Sequence, residues 1–196
     1  MLNDAALDQI FRTARTQNGW QPKPVSDDQI KALYELMKWG PTTGNSQPGR
    51  LVFLRTQAAK ERLKPHLSPA NQDKSMAAPV VAIIAFDLAF YENIPRVFPH
   101  RPEMKNLYVG DDKKAMVETT ALRNSSLQGA YLMIAARAMG LDCGPMSGYN
   151  AAGVDKEFFS GTTFKSNFIC NLGHGDPSKV MARLPRLPFE EVCSML

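Results

Sequence analysis

The sequence predicts an α+β fold in which helices pack against a central sheet. The first observation is a nearly unbroken apolar run over residues 79–86, which is typical of a strand covered on both faces. The second is a pair of shorter apolar strands at residues 51–55 and 166–172. The third is a long helical pattern over residues 115–139. A chain of 196 residues is long enough for one core, so we expect residues 1–196 to form a single domain.

Two helices are predicted in the N-terminal third of the chain. Residues 5–14 carry apolar side chains at helical spacing, which indicates a short amphipathic helix. A second helix is predicted to begin after Ser26, whose hydroxyl can cap it, with two acids in the first turn. It must end before Gly40 and Pro41, because glycine favours a C-terminal cap and proline cannot continue a helix.

Helical and irregular segments separate the remaining strands. Residues 58–64 predict a charged helix that ends at Pro65. Residues 92–112 are rich in proline, asparagine, glycine and charge, which indicates a long and partly irregular excursion. From Gly173 onward the sequence predicts a loop and a tail.

The second half of the long helix, residues 127–136, is apolar nearly all round. A helix of this kind must be buried on most of its sides. Burial against both the chain's own sheet and a partner subunit would satisfy the pattern, and a central core helix would satisfy it equally well.

Composition and charge exclude several classes of function. The 23 basic and 19 acidic residues give a net charge of +4, and the basic residues are scattered instead of grouped in a tract. A nucleic-acid-binding protein more often shows a basic stripe with interleaved aromatic residues, so we expect no nucleic-acid partner. A mild excess of cations suits a small anionic ligand better.

Cysteine, histidine and hydropathy patterns bear on metals and compartment. Cys143, Cys170 and Cys193 form no CxxC pair and the three histidines are far apart, so we expect reduced thiols and no metal site. The N-terminus lacks the basic and apolar regions of a secretory signal. The longest apolar run is about half the length of a membrane span. We therefore expect a soluble, cytoplasmic protein with no membrane partner.

Common catalytic motifs are missing, and one polar loop stands out instead. The chain lacks GxSxG, HExxH, GxxxxGK[ST] and a GxGxxG after a strand, so an enzyme of this sequence would need a cofactor as its reactive centre. His174 has one close acid, Asp176, and is best explained as a solvated loop histidine. In residues 41–48, Asn45 and Gln47 offer amide groups to a planar heterocycle. The simpler explanation is that these amides only close the turn.

Four segments, taken in order, resemble the flavin-dependent nitroreductase family. Residues 15–20 are similar to that family's Arg-Ser-x-Arg-x-Phe element, which binds the phosphate and ribityl chain of FMN. Residues 39–48 are similar to its Pro-Ser-x-x-Asn-x-Gln-Pro loop, and residues 140–149 to the loop that passes over the isoalloxazine ring. Residues 173–186, with the Phe-Glu-Glu-Val that follows, are similar to its closing segment. The resemblance spans roughly residues 8–193.

This resemblance implies a nitroreductase-like FMN-binding fold, which is a three-layer sandwich with a central, mixed but mostly antiparallel sheet flanked by helices. It also implies a homodimer with FMN at the interface, where both subunits line the pocket. NADH or NADPH would be the co-substrate, and no Rossmann fingerprint is present to distinguish them. Because the flavin N5 would carry the chemistry, no side chain is assigned as catalytic.

The resemblance assigns the phosphate end of FMN to basic residues. Arg15 would bind the phosphate, since a guanidinium forms bidentate, charge-assisted bonds with such an anion. Thr16 stands where the family has serine and can still donate a hydroxyl, whereas Asn18 stands where many relatives have a second arginine. The missing charge is assigned to the C-terminal basic residues Arg186, Arg183 and Lys179.

The ring of FMN is assigned to the two central loops. Asn45 would bond the carbonyl and N–H groups along the pyrimidine edge, assisted by Thr43 or Gln47. Ser147 and Gly148 would offer backbone N–H groups near N5 and O4, where negative charge develops on reduction. Two residues would pack on the ring face: Pro145 and Met146.

Within the family, the resemblance is closest to the small malonic semialdehyde reductases of pyrimidine catabolism. It implies ping-pong hydride transfer from NAD(P)H through FMN to the aldehyde, which gives 3-hydroxypropionate. A broad-specificity nitro or quinone reductase on the same fold and a non-catalytic flavin carrier are the alternatives. We expect residues 91–110 to select the substrate. The substrate carboxylate needs a cation, for which the unranked candidates are Arg96, His100, Arg101 and Arg123.

Overall fold

One four-stranded sheet forms the centre of the computed structural model, which describes residues 1–196. All neighbouring strands are antiparallel, and their spatial order is β1-β2-β4-β3. The strands are β1 (Gly49–Leu54), β2 (Val80–Asp87), β3 (Asp142–Met146) and β4 (Phe164–Gly173). The predicted strands at residues 51–55, 79–86 and 166–172 correspond to β1, β2 and β4.

Strand β2 lies inside the sheet, as its apolar run predicts. All of its residues are buried, because β1 and β4 flank its edges and helices cover both of its faces. Leu51 of β1 lies opposite Ile84, and Ile83 lies opposite Ile169 of β4. The prediction of a central strand that is covered on both sides is confirmed.

Eight α-helices accompany the sheet. They are α1 (Asp4–Leu7), α2 (Asp27–Met37), α3 (Gln57–Leu63), α4 (Pro69–Ala77), α5 (Ile94–Val97), α6 (Lys114–Ala138), α7 (Ala151–Phe158) and α8 (Phe189–Val192). The first helix continues to Arg12 in wider, π-type turns. Helices α4, α5, α7 and α8 were not predicted from the sequence. None of the helices combines the length and the apolar character that a membrane crossing requires.

Helix α2 shows why its ends fall where the sequence predicts them. The hydroxyl of Ser26 accepts from the backbone N–H of Gln29 at 3.1 Å, and the Gln29 side chain accepts from the Ser26 N–H at 2.9 Å. This reciprocal capping box satisfies two donors that would otherwise be unpaired. After the helix, a Cβ on Gly40 would lie 2.7 Å from Cγ of Tyr131 in α6, so the chain leaves α2 pressed against α6.

Helices pack on both faces of the sheet and complete three layers. On one face, α2 and α6 pack on the sheet around a core that includes Leu33, Met37, Ile84, Leu132 and Leu172. On the other face, α3, α4 and α7 pack around a core that includes Leu54, Leu63, Ile83, Val154 and Ile169. This helix-sheet-helix arrangement confirms the predicted α+β sandwich.

The segment 140–149 differs from its prediction as a loop, because its first half is the edge strand β3. The carbonyl of Cys143 points away from the sheet and accepts from the N–H of Gln17 at 3.0 Å. Alternate residues of a strand share this direction, so the backbone nitrogen of Pro145 also points outward and no ladder hydrogen bond is lost. The parallel component of the sheet is an isolated bridge between Thr16 and Cys143.

Helix α6 is less buried within the chain than its apolar second half suggests. Leu132 is fully buried, but Leu127 and Tyr131 keep 46% and 38% of their surface exposed. One apolar side of the helix therefore faces outward from the chain.

The excursion predicted at residues 92–112 contains α5 and several 3₁₀ turns. It folds over a small core of its own, in which the rings of Phe90 and Tyr108 meet edge to face at 4.9 Å. The excursion is thus more ordered than its composition predicts.

Candidate functional site

The segment that follows the N-terminal helix runs along the outer edge of β3. The bond from Gln17 to Cys143 and the bridge from Thr16 hold it there. Thr16 and Gln17 consequently lie beside Cys143 and Gly144, while Asn18 and Gly148 are contacted from one helix, α4, by Lys74 and Asn71. The structure brings these two groups of predicted site residues to one edge of the sheet.

A basic cluster lies along this edge; its members are Arg15, Lys74, Lys179 and Arg183. Arg15 donates to the carbonyl of Met181, and Arg183 donates to the carbonyl of Arg12 at 2.7 Å. Both guanidinium groups thus join the closing segment to the N-terminal segment through main-chain oxygens.

The two lysines of the basic cluster flank Asn18. Nζ of Lys74 lies 3.4 Å from Oδ1 of Asn18. The stem of Lys179 packs on Gly19, where a Cβ would lie 2.5 Å from its Cγ. None of the four cations forms an ion pair with a carboxylate, so the cluster keeps its positive charge for an anionic ligand.

Helix α4 holds the backbone of the turn that follows β3. The carbonyl of Gly148 accepts from the N–H of Ser68 at 3.0 Å and from Nδ2 of Asn71 at 2.8 Å. A Cβ on Gly148 would lie 2.7 Å from that Nδ2, so a larger residue would displace the Asn71 side chain. The N–H groups of Ser147 and Gly148 have no acceptor within the chain, which leaves two adjacent donors free.

The two residues predicted to pack on a ring face are placed within the sheet. Pro145 and Met146 are the last two residues of β3. The Sδ of Met146 lies 3.6 Å from Oγ of Ser75, and its side chain packs against the core beneath α3, α4 and α7. Met146 therefore fills the core in this chain.

Arg186 is not brought to the basic cluster. Its Nη1 donates to the carbonyls of Leu184 and Pro185, both at 3.1 Å and both in its own segment. Residues 181–196 are exposed throughout. Arg183 is the arginine of the closing segment that reaches the N-terminal residues.

The loop over residues 41–48 is anchored by helix α6. The N–H of Thr43 donates to Oδ1 of Asn124 at 2.8 Å, and the N–H of Gly49 donates to Oε1 of Gln128 at 2.7 Å. Both amide side chains are nearly fully buried. Side chains of α6 therefore hold the loop backbone in place.

The two predicted amide ligands of this loop bond each other. Nε2 of Gln47 donates to Oδ1 of Asn45 at 3.0 Å, and Nδ2 of Asn45 donates to the carbonyl of Val97 at 2.7 Å. Asn45 and Gln47 also have φ of 49° and 45°, values that L-residues rarely adopt. Such strain persists only where the surroundings impose it, and it concentrates at functional sites.

A cavity of about 670 Å³ lies beneath the loop, between α2, β1, α5 and α6. Its volume is within the range of small-molecule sites. Phe53 and Ile84 contribute apolar surface, and Ser46, whose buried hydroxyl has no hydrogen-bond partner, is also a lining residue. Its charged lining consists of Lys31, Glu35, Lys38, Arg50 and Arg96.

The loop and the basic cluster are far apart within one chain. The loop leads into β1, and the basic cluster lies near β3. These two strands form the edges of the sheet. Three strand spacings separate these edges, which amounts to about 14 Å. Within one chain, these two groups of predicted site residues therefore lie at opposite edges of the sheet.

His174 is not the solvated residue that the sequence predicts. It is half-buried at the end of the β4 segment, and its Nε2 has no partner. Burial lowers the pKa of His174 below its usual value, Lys23 lowers it further, and Asp142 partly opposes the change. The neutral imidazole is thus favoured, and no predicted ligand group lies beside it.

Sequence reasoning missed Asn71 and Lys74, which reach Gly148 and Asn18 from α4. The two residues are three positions apart on a helix, so they share one face. Because such spacing occurs in every helix, it does not single out these two residues. The informative contact for Asn71 is with a residue 77 positions away, and no local pattern reveals it.

The chain is similar in sequence to known proteins of one family. A sequence model described as "Nitroreductase family" matches residues 12–174. A relative from Cupriavidus pinatubonensis, named "putative NADH dehydrogenase/NAD(P)H nitroreductase", is 56% identical over 195 residues, which is 100% of each chain. A relative from Ralstonia pickettii with the same description is 54% identical over 190 residues and 97% of each chain.

Solved structures share the fold at low sequence identity. A nitroreductase-like protein from Bacillus subtilis aligns with a TM-score of 0.89 and 20% identity, over 99% of this chain and 100% of that one. A protein from Exiguobacterium sibiricum, described as a nitroreductase in complex with FMN, aligns with a TM-score of 0.87 and 17% identity. That alignment covers 100% of this chain and 99% of the other.

Proposed function

The chain belongs to the nitroreductase family, and on that premise we propose that it is an FMN-dependent NAD(P)H oxidoreductase. The observation that carries this proposal is the basic cluster without acidic partners, which lies at the same sheet edge as the free N–H groups of Ser147 and Gly148. A phosphate and a ring that gains negative charge need these two kinds of donor.

The residues at this edge fit the phosphate end of FMN. Arg15 would form charge-assisted bonds with the phosphate, and Thr16 can donate its hydroxyl. Lys74 supplies a cation at Asn18, where the family's second arginine is missing. Arg183 and Lys179 are better placed than Arg186 to add to this charge. We therefore assign the phosphate to the basic cluster.

The ring of FMN would lie against residues from both edges of the sheet. The N–H groups of Ser147 and Gly148 would face N5 and O4, while Asn45, with Thr43 or Gln47, would bond the pyrimidine edge. Since these groups belong to opposite edges of one sheet, whose edge strands are about 14 Å apart, we propose that the second group comes from another copy. The exposed apolar side of α6 supports such a homodimer, because apolar side chains grouped on one exposed helix face are typical of an interface.

When bound, FMN supplies a centre that accepts a hydride from NAD(P)H and passes it to an acceptor. The chain's own part in the reaction is to hold and orient. The basic cluster fixes one end of the cofactor, and the strained loop fixes the other. The free donors at Ser147 and Gly148 stabilise negative charge without first having to break a protein hydrogen bond.

We propose malonic semialdehyde as the physiological acceptor, with 3-hydroxypropionate as the product. The segments that resemble the malonic semialdehyde reductases support this assignment. The names of the 56% and 54% identical relatives favour a second candidate, a broad NAD(P)H nitro or quinone reductase. The two candidates differ only in the acceptor.

The test is to identify the chromophore of the purified protein and to follow it during turnover. Mixing with NADH or NADPH without oxygen should bleach the flavin at the rate of turnover, and added malonic semialdehyde should restore the colour and yield 3-hydroxypropionate. A flavin that NAD(P)H does not bleach would indicate a carrier. Faster restoration by nitroaromatics or quinones would favour the second candidate. A protein unable to take up FMN would contradict both.

We also propose that residues 1–196 act as one domain and that the protein works in the cytoplasm. The shared helix-sheet-helix core supports the first statement. Three free cysteines, two of them buried, support a reducing compartment.

A further inference from the structure

The cavity beneath the loop lies next to the residues assigned to the flavin ring. Gln47 lines it directly, and Val97, whose carbonyl accepts from Asn45, lines it from α5. A molecule in this cavity would therefore lie beside the loop that we assign to the pyrimidine edge.

The four candidate cations for an acceptor carboxylate differ in their surroundings. Arg96 is exposed like the other three, and it is the one that lines the cavity. Arg101 is exposed and lies 3.7 Å from a carboxylate oxygen of Glu103. The ring of His100 packs on Phe98, at 4.1 Å between centroids. Arg123 is exposed on α6 and does not line the cavity.

Arg96 is also the lining cation without an acidic partner. Arg50 pairs with Asp87 at 2.6 Å, Lys38 with Glu35, and Lys31 with Asp28 at 3.5 Å. Glu35 is the single acid in the lining, and Lys38 already neutralises it. The guanidinium of Arg96 donates only to the neutral amide oxygen of Asn93, at 3.0 Å. Most of its donors are therefore free for an anion.

A buried hydroxyl provides a second, independent observation. Ser46 is 1% exposed, lines the same cavity, and its Oγ has no hydrogen-bond partner. Buried polar groups are almost always bonded, so an unbonded one next to a cavity indicates a ligand atom or water. A hydroxyl can donate to a carboxylate oxygen.

We propose that this cavity binds the carboxylate of the acceptor, with Arg96 as the charge partner and the Ser46 hydroxyl as a donor. This inference rests on the proposed oxidoreductase function and deepens it, because it names the substrate class as small carboxylate-bearing carbonyl compounds. Neutral nitro compounds and quinones have no carboxylate to pair with the charge of Arg96. The residue thus determines specificity and takes no part in the transfer of the hydride.

Binding tests the inference without turnover. The probe is 3-hydroxypropionate, with 1,3-propanediol as its neutral counterpart, and titration calorimetry on the purified protein gives the Kd. Arg96→Gln should raise the Kd for 3-hydroxypropionate about ten-fold, as expected for a lost charged hydrogen bond. Arg101→Gln, which removes an exposed arginine outside the cavity, is the matched control and should leave the Kd unchanged. Equal Kd values in both variants, or no binding to the wild-type protein, would overturn the inference.

Kinetics separate this inference from the proposed function. The wild-type protein should prefer malonic semialdehyde to its methyl ester in kcat/KM. Arg96→Gln should abolish that preference through a higher KM, with flavin content and the rate for the ester unchanged. Ser46→Ala should fold normally and reduce the preference by a few-fold.

If the carboxylate binds through Arg96 but no aldehyde is reduced, the proposed acceptor is wrong and the carboxylate site stands. If aldehydes are reduced without any preference, the carboxylate site is wrong.

Discussion

The turn that follows β3 and the loop that precedes β1 lie at opposite edges of one sheet, and they are constructed differently. At the β3 edge, the basic cluster and two backbone N–H groups are left free of acidic partners or acceptors. At the β1 edge, Asn45 and Gln47 bond each other and adopt positive φ. The β3 edge thus presents cations without acidic partners, and the β1 edge presents a rigid, strained loop.

This difference shows how a cofactor site can be divided between two edges. Charge attracts and holds an anion with little demand on geometry, whereas amide groups recognise a ring only if their positions are fixed. Neither edge alone offers both properties. Two copies of the chain together would offer both.

Mixing two defective variants should change the activity more than any single substitution. Arg15→Ala impairs the β3 edge and Asn45→Ala impairs the β1 edge, so each homodimer should have two weakened sites. After subunits exchange at random, half of the dimers are mixed and carry one intact site. Activity should then rise to about a quarter of the wild-type value. A mixture no more active than its separate components would show that each chain forms its own site.

Arg15→Ala alone should weaken FMN binding. Loss of a charge-assisted bond costs about 1.5–3 kcal/mol, which corresponds to a rise of about 10- to 150-fold in Kd. Flavin retained after dialysis gives the measurement. Arg12→Ala is the control, because Arg12 pairs with Asp4 and Asp8 in its own helix. Equal retention in both variants would count against the phosphate assignment.

Substitution of Gln47 tests the strain at the β1 edge. Both Gln47→Gly and Gln47→Ala remove the bond to Asn45. Only glycine relieves the positive φ, so the glycine variant should be more stable than the alanine variant by about 1 kcal/mol. Urea unfolding measures the difference. If alanine is equally stable, the loop is not strained at this position.

The smallest effect concerns the pH dependence of stability. The pKa of His174 is lowered in the folded protein, mainly by burial, so the unfolded chain takes up a proton first as the pH falls. Stability should therefore decrease as the pH drops below about 6.5 and through the lower folded pKa. His174→Gln should reduce this decrease, as measured by urea unfolding at several pH values. His100→Gln, which removes an exposed histidine, should retain it.

The layers of the fold could be predicted from the sequence because their signals are local. The apolar run of β2 and the capping residues around Ser26 act through neighbours in the chain, and the structure confirms both. Strand β3 escaped prediction because Gly144 and Pro145 usually break strands. At an outer edge, however, the missing N–H of Pro145 costs no ladder bond.

The candidate site was less predictable, because its geometry depends on contacts between distant segments. Lys74 supplies charge beside Asn18 only because α4 packs near the N-terminal segment. Arg183 and Arg186 have the same chemistry, and sequence alone could not show which one turns toward the N-terminal residues. The separation of the two sheet edges likewise follows from strand order, which no motif encodes.

Pro145 also has a consequence for how this protein behaves at high concentration. An unpaired sheet edge can recruit a strand from another molecule, which is a common first step in aggregation. On β3, Gln17 covers one outward position and Pro145 offers no N–H at another. That edge is closed to strand addition, so filament growth between misassembled copies would have to start at β1.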